Sequence, residues 1–136
     1  MEKLLLILID HEGLKKLPYV DTMEKTSIGI GRNLTDRGIS REEAIYLCMN
    51  DVKESRSELS NYQWYEAMDE VRKDVLVELH FNIGLTKLLK FENMIQCLIM
   101  EKYADAATHM LDSKWRKQVG DRRALNMAKR LSTGKY

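Results

Sequence analysis

Several residue types are scarce in this sequence of 136 residues, which contains one proline, seven glycines and two cysteines. Hydrophobic residues make up 44% of the chain and charged residues 32%. So little proline and glycine beside so many apolar residues excludes collagen-like repeats and low-complexity linkers. The length suits one domain, which we predict to span residues 1–136.

The two cysteines are too few and too isolated for a disulfide scaffold. Cys48 and Cys97 lie in apolar helical patterns, with no Cys or His at ligand spacing, which also argues against a zinc site. We predict two buried free thiols, no metal site and no cofactor.

The sequence also lacks a long apolar run. Leu4 to Ile9 is apolar but ends after six residues at Asp10. A membrane span needs ~20 apolar residues, and a signal peptide core needs ~7–15 followed by a cleavage site. We therefore expect the protein to be made and retained in the cytoplasm.

Charge is unevenly spread although the net charge is only +1. Ten acidic and five basic residues lie between Arg41 and Glu78, whereas eight basic residues and one acidic residue lie between Lys114 and Lys135. This asymmetry indicates either a polyanionic partner or a solvated helix face.

Two different periodicities divide the N-terminal third. The apolar period predicts a helix over residues 3–14 that ends near Gly13, which places Glu12 at its C-terminal end, where the helix dipole disfavours a carboxylate. The helical period is lost between residues 17 and 34. The β-branched, glycine-containing segment 26–31 predicts a short hairpin or a three-stranded sheet.

Most of the remaining chain has helical patterns. Ser40 and Glu43 form a capping box that opens a helix ending near Leu59. Further helices are predicted over about 63–83, with a break near Asp69, and over about 92–100, 105–111, 114–118 and 121–131. The predicted fold class is α+β: a small β-sheet lobe with its connecting helix (about 13–58) and a larger helical lobe (1–12 and 59–136), with a cleft between them.

Glu12 and Asp21 are candidate catalytic carboxylates. Glycoside hydrolysis uses two such groups on different elements, one as acid and the other as base or nucleophile. The chain contains 21 acidic residues, so this spacing alone is not specific.

The surrounding motifs are specific. His11-Glu12-Gly13-Leu14, Tyr19-Val20-Asp21-Thr22 and Ser27-Ile28-Gly29-Ile30-Gly31 resemble the opening of the phage-type lysozymes, or endolysins, of glycoside hydrolase family 24. In that family a Glu, eight residues, an Asp, five residues and a Thr form the catalytic signature, and the same count lands here on Glu12, Asp21 and Ser27. Later segments continue the resemblance in order: Arg37-Gly38-Ile39-Ser40, Phe81-Asn82-Ile83-Gly84, Trp115 and Arg122-Arg123.

The resemblance implies a muramidase that hydrolyses the β-1,4 bond between N-acetylmuramic acid and N-acetylglucosamine in peptidoglycan and so lyses a bacterial host. Glu12 would be the general acid, Asp21 the general base or charge stabiliser, and Ser27 the hydroxyl that positions water. Ser27 replaces the usual Thr, with Thr26 just before it, and successive strand residues face opposite ways. The motif count favours Ser27.

By position, the resemblance also implies five substrate-binding residues: Asn33, Phe81, Met94, His109 and Arg122. Arg122 stands where the family has an arginine that pairs with the catalytic Glu. Met94 and His109 depart from the family's small or polar residues. We predict that Trp115 belongs to the core rather than to a sugar platform.

The leading hypothesis is a monomeric lysozyme of phage or prophage origin, whose partner is its peptidoglycan substrate. It would stay in the host cytoplasm until a separate pore-forming holin releases it to the wall. The basic C-terminal region would contact an anionic wall or membrane weakly, and no nucleic acid is expected to bind. The alternatives are a wall-binding protein with a dead active site, which would need a lost Glu or Asp, and a small DNA-binding protein, which would make the Glu12, Asp21 and Ser27 spacing a coincidence.

Overall fold

The computed structural model describes residues 2–136, which form nine helices and three strands. The strands are β1 (Lys15–Val20), β2 (Thr26–Gly29) and β3 (Arg32–Asn33). The helices are α1 (Lys3–Glu12), α2 (Arg41–Leu59), α3 (Gln63–Glu66), α4 (Glu70–Ile83), α5 (Leu85–Leu88), α6 (Glu92–Ile99), α7 (Tyr103–Leu111), α8 (Lys114–Val119) and α9 (Asp121–Thr133). The predicted α+β class is confirmed.

The chain divides into two compact units, of which the first ends at Leu47 and the second is Cys48–Tyr136. The first unit holds α1, the sheet and the beginning of α2, whereas the prediction grouped residues 1–12 with the helical lobe. The single domain, its lobe boundaries and the cleft remain predictions.

The sheet is antiparallel with strand order β1-β2-β3. Ser27 on β2 pairs with Tyr19 on β1 and with Asn33 on β3, so these three side chains share one face. The proline at position 18 lies within β1, an edge strand, where a missing N–H is tolerated. The β1–β2 register is irregular between Lys15 and Tyr19, the stretch that contains this proline.

The start of α2 is held by the predicted capping box. The Glu43 N–H donates to Ser40 Oγ at 3.1 Å, and the Ser40 N–H donates to Glu43 Oε1 at 3.0 Å. Arg32 Nη1 donates to the same carboxylate oxygen at 2.7 Å. The hydrogen bond from Arg32, followed by those from Ser40, lowers the pKa of Glu43 to about 2. One carboxylate therefore joins β3 to the first turn of α2.

The core of the second unit is built from α2 to α9. Its fully buried side chains include Leu59, Leu76, Leu79, Leu88, Leu98, Met94, Met110, Met127 and Leu131. Across this core, Arg123 Nε and Arg130 Nη2 donate to the two oxygens of Glu78 at 3.0 and 2.6 Å, which links α9 to α4. Arg72 Nε and Nη2 donate to the carbonyls of Leu131 and Ser132 at 2.7 and 2.9 Å and satisfy the end of α9.

Some predicted details are wrong. Cys48 was predicted to be buried but is exposed, because the buried residues of α2 are Ser55 and Leu59 near its C-terminal end. Cys97, also predicted to be buried, is only partly buried. The predicted helices omit α5, a single turn too short to show a period. The break near Asp69 is confirmed, since its carboxylate accepts the Arg72 N–H at the start of α4. Within residues 2–136, no helix combines the length and the apolarity that crossing a membrane requires.

Candidate active site

Glu12 is the last residue of α1, as predicted, and its side chain is exposed. The side chain lies over the backbone of Gly31, in the turn between β2 and β3. A methyl group placed on Gly31 would lie 3.1 Å from Glu12 Oε2, 3.4 Å from Cδ and 3.5 Å from Cγ. The carboxyl group therefore lies against the turn at a position that has no side chain to obstruct it.

Asp21 lies in the turn between β1 and β2, and its carboxylate organises that turn. Asp21 Oδ1 accepts the N–H groups of Met23 at 2.8 Å and Lys25 at 2.9 Å. Its own N–H donates to the Lys25 carbonyl at 2.8 Å. Within residues 2–136, no hydrogen bond uses Asp21 Oδ2. The turn thus holds the carboxylate in place and leaves one oxygen available.

Ser27 lies on the central strand and is only 3% exposed. Its Oγ makes no hydrogen bond within the described part of the chain, yet it is not sealed from solvent. Thr26 pairs with Val20 and faces the other side of the sheet. The face that carries Ser27 also carries Tyr19 and Asn33.

Strand β2 orders the three predicted catalytic residues. The turn that holds Asp21 precedes the strand, Ser27 lies within it, and the turn that seats Glu12 follows it. Four strand residues span about 13 Å. One short strand of the first unit therefore positions an acid, a hydroxyl and a second acid in sequence.

Asn33, a predicted substrate contact, also has a local structural role. Its Nδ2 donates to Asp36 Oδ2 at 3.0 Å, and its Oδ1 accepts the Asp36 N–H at 3.1 Å. The hydrogen bond from Asn33, followed by that from Lys25, lowers the pKa of Asp36. One N–H and one lone pair of the Asn33 amide remain for another partner.

The other four predicted substrate residues lie in the second unit. Met94 and His109 line one cavity of about 490 Å³, beside Phe91 and Trp115. Met94 is only 1% exposed, so it is mainly a core residue that reaches the cavity wall. Phe81 is 48% exposed and Arg122 is exposed in the first turn of α9, and neither lines this cavity.

Trp115 belongs to the core, as predicted, with 4% of its surface exposed. Its Nε1 donates to Asn82 Oδ1 at 2.9 Å, and its ring meets the ring of Phe91 edge-on at 6.4 Å. Lys87, Lys90, Asn93, Asp112 and Lys114 also line the cavity and were not predicted. They come from several helices and from the connections between them, and the sequence carries no signal that groups them.

Gly31, which lies beneath the Glu12 side chain, was also not among the predicted site residues. A glycine in a strand pattern is equally typical of tight strand packing. Residues 2–136 contain no group of three or more His, Cys, Asp or Glu side chains placed to hold a metal ion.

Comparison with known proteins identifies the family of this chain. The family described as "Phage lysozyme" matches residues 9–132, which include Glu12, Asp21 and Ser27. The chain is also 30% identical over 58 residues to "Probable T4-type lysozyme 1" of Dictyostelium discoideum, a match that covers 43% of this chain and 34% of that protein. Since the family match covers most of the sequence, the chain belongs to the phage lysozyme family.

Proposed function

We propose that this protein is a muramidase that hydrolyses the β-1,4 bond between N-acetylmuramic acid and N-acetylglucosamine in peptidoglycan. The observation that carries the proposal is the arrangement along β2. Among residues 2–136, Asp21 Oδ2 and the Ser27 hydroxyl make no hydrogen bond, and the Glu12 carboxyl lies on the turn at the end of the strand.

Each group has one role in the proposed reaction. Glu12, protonated, gives its proton to the glycosidic oxygen as the bond to the anomeric carbon breaks. A water molecule attacks that carbon, and Asp21 Oδ2 accepts the proton that the water loses. The Ser27 hydroxyl holds the water by a hydrogen bond. Solvent exchange then returns the proton from Asp21 to bulk water and reprotonates Glu12.

We also propose direct attack by water rather than a covalent intermediate, as the resemblance to the phage-type family implies. Enzymes that invert configuration keep their carboxyl groups ~6.5–9.5 Å apart so that a water molecule fits between them. Asp21 lies in the turn before β2 and Glu12 lies over the turn after it, so the two acids stand at opposite ends of this strand.

For the substrate, we propose contacts from Asn33 in the first unit and from Phe81, Met94, His109 and Arg122 in the second. The cavity that Met94 and His109 line has both polar and aromatic side chains in its wall, the composition expected of a ligand site. His109 and Asp112 offer hydrogen-bonding groups, and Phe91 offers an apolar surface.

The biological role we propose is host lysis by a monomeric endolysin that is released from the cytoplasm by a separate holin. The basic region from Lys114 to Lys135 would strengthen its hold on an anionic wall or membrane. Arg116 pairs with Asp121, and Arg123 and Arg130 share Glu78. Five other cations in this region form no ion pair within residues 2–136: Lys114, Lys117, Arg122, Lys129 and Lys135.

The test is a set of matched charge-removing variants assayed on purified peptidoglycan. Glu12→Gln cannot donate the proton that the leaving oxygen needs, and Asp21→Asn cannot accept one, so each should lose at least about 100-fold in rate. Asp10→Asn and Glu24→Gln are the controls, because these carboxylates lie beside the motif but outside it, and they should lose little.

Mass spectrometry of the digest identifies the bond that is cut. Reducing N-acetylmuramic acid ends indicate a muramidase, whereas anhydro ends indicate a transglycosylase and freed peptides an amidase. The catalytic assignment fails if Glu12→Gln keeps more than about a tenth of the wild-type rate, since general acid catalysis contributes roughly 100- to 10,000-fold.

A further inference from the structure

We propose that Gly31 is a positioning residue for Glu12: because position 31 has no side chain, the Glu12 carboxyl can rest on the turn between β2 and β3 in a reactive position. This inference rests on the proposed function, in which Glu12 is the acid. It adds a residue that acts through Glu12 without contacting the substrate.

The contact is close and involves the end of the Glu12 side chain. A methyl group on Gly31 would lie 3.1 Å from Oε2, a separation tighter than most contacts of real Cβ atoms. It would also meet Cδ at 3.4 Å and Cγ at 3.5 Å. A side chain at position 31 must therefore move the carboxyl group, because the flexible end of Glu12 yields more readily than the strand backbone.

Few other contacts hold the Glu12 carboxyl. Within the part of the chain that the structure describes, it makes no hydrogen bond and no ion pair to another side chain. The side chain is exposed and lies at the C-terminal end of α1, where the helix dipole disfavours negative charge. The packing against Gly31 is thus a main restraint on where the carboxyl group lies.

The surface beneath Glu12 is itself held in place. Arg32, which follows Gly31, pairs with Ile28 across strands β2 and β3. Its Nη1 donates to Glu43 Oε1 at 2.7 Å and to the Gly38 carbonyl at 3.3 Å. These bonds tie the turn to the first turn of α2, so the turn cannot easily shift to make room for an added side chain.

Gly29, the last residue of β2, provides a matched control. Gly29 has φ +71° and Gly31 has φ +74°, so a side chain at either position is strained by a similar left-handed φ. A methyl group on Gly29, however, would meet nothing within 4 Å. Comparing Gly31→Ala with Gly29→Ala therefore separates the contact with Glu12 from the cost of the backbone conformation.

The experiment measures kcat and KM of both variants on soluble peptidoglycan fragments, together with melting temperatures and the ¹³C chemical shift of the Glu12 carboxyl carbon. We expect similar losses of melting temperature. We expect kcat of Gly31→Ala to fall about 10- to 100-fold below that of Gly29→Ala, because small displacements of a reacting group are costly. KM should change alike in both, and the carboxyl shift should move only in Gly31→Ala.

Equal kcat values and an unmoved Glu12 shift in the two variants would overturn the proposal. If Gly31→Ala does not fold, Glu12→Ala/Gly31→Ala decides: folding restored to the level of Gly29→Ala supports the contact, and failure to restore it refutes the contact. The chemical shift does not depend on catalysis. If Glu12→Gln proved active, the proposed function would be wrong. The chemical shift of Glu12 in Gly31→Ala and Gly29→Ala would still show whether position 31 controls where the carboxyl group lies.

Discussion

Substitutions at Ser27 should separate activity from stability, because the residue is buried and its hydroxyl makes no hydrogen bond to the described part of the chain. In Ser27→Ala the protein loses a hydroxyl that contributes no internal hydrogen bond within residues 2–136, so the free energy of unfolding should change by less than about 1 kcal/mol. If the hydroxyl holds the attacking water, turnover should fall roughly 10- to 1,000-fold, which equals about 1.4–4 kcal/mol of transition-state stabilisation.

Ser27→Thr should show the opposite pattern. It keeps the hydroxyl, restricts its rotamers and restores the family's usual residue, so turnover should stay at or above that of the wild type. The added methyl group enters a site that is 3% exposed, between Tyr19 and Asn33 on the two neighbouring strands. Overpacking of this kind costs about 1–3 kcal/mol. In a chain of this length that lowers the melting temperature by about 3–12 °C.

Thr26→Ala completes the series, because Thr26 faces the other side of the sheet. It should affect stability more than rate. All three variants are compared by steady-state turnover on one soluble substrate and by thermal melting followed by circular dichroism. An inactive Thr26→Ala beside a fully active Ser27→Ala would refute the assignment, since it would mean that the other face of β2 meets the water.

Three further predictions concern charged groups. Glu43→Gln should lower the melting temperature at pH 7. Because the pKa of Glu43 in the folded protein is lowered to about 2, the difference in melting temperature from the wild type should shrink as pH falls from about 4.5 towards 2. A difference that does not change with pH would contradict the ion pair with Arg32. Arg72→Met removes the donors to two α9 carbonyls and a guanidinium that lies 4.0 Å from the centroid of the Tyr103 ring. The free energy of unfolding, measured with urea, should therefore fall by about 2–4 kcal/mol. A fall below about 1 kcal/mol would show that the carbonyls at the end of α9 are satisfied without Arg72. Charge reversal of Lys117 and Lys129 together should reduce lysis of permeabilised cells more than cleavage of soluble fragments. It should also make the rate of lysis less dependent on salt concentration. Equal losses on both substrates would contradict the proposed role of the basic region in wall binding.

Choosing Lys129 rather than Arg130 for that test depends on the tertiary structure. The two are adjacent in sequence and equally basic, but Arg130 Nη2 donates to Glu78 at 2.6 Å and its side chain is 12% exposed. Reversing its charge would place a carboxylate beside Glu78, whose side chain is 32% exposed, and would break this link between α9 and α4. The loss of stability would then obscure any effect on wall binding.

Features that depend on neighbours along the chain can be predicted from the sequence alone. The end of α1 at Glu12, the Ser40–Glu43 capping box and the break at Asp69 all follow from backbone conformation and from side chains that satisfy nearby N–H groups. The family signature is likewise a local feature of the sequence, because it consists of residue types at fixed spacings. For that reason Glu12, Asp21 and Ser27 could be named as candidates without coordinates.

Features that join residues distant in sequence, or that depend on packing, required the folded structure. The contact of Glu12 with Gly31, the pairing of Arg32 with Glu43 and the near-complete burial of Met94 each depend on which elements pack together. Apolar spacing shows that a helix has an apolar face but not which of its positions become covered, so Cys48 and Met100 proved exposed although both continue apolar patterns. The physical reason is that hydrogen bonds in caps and turns form within a few residues, whereas burial is a property of the assembled fold.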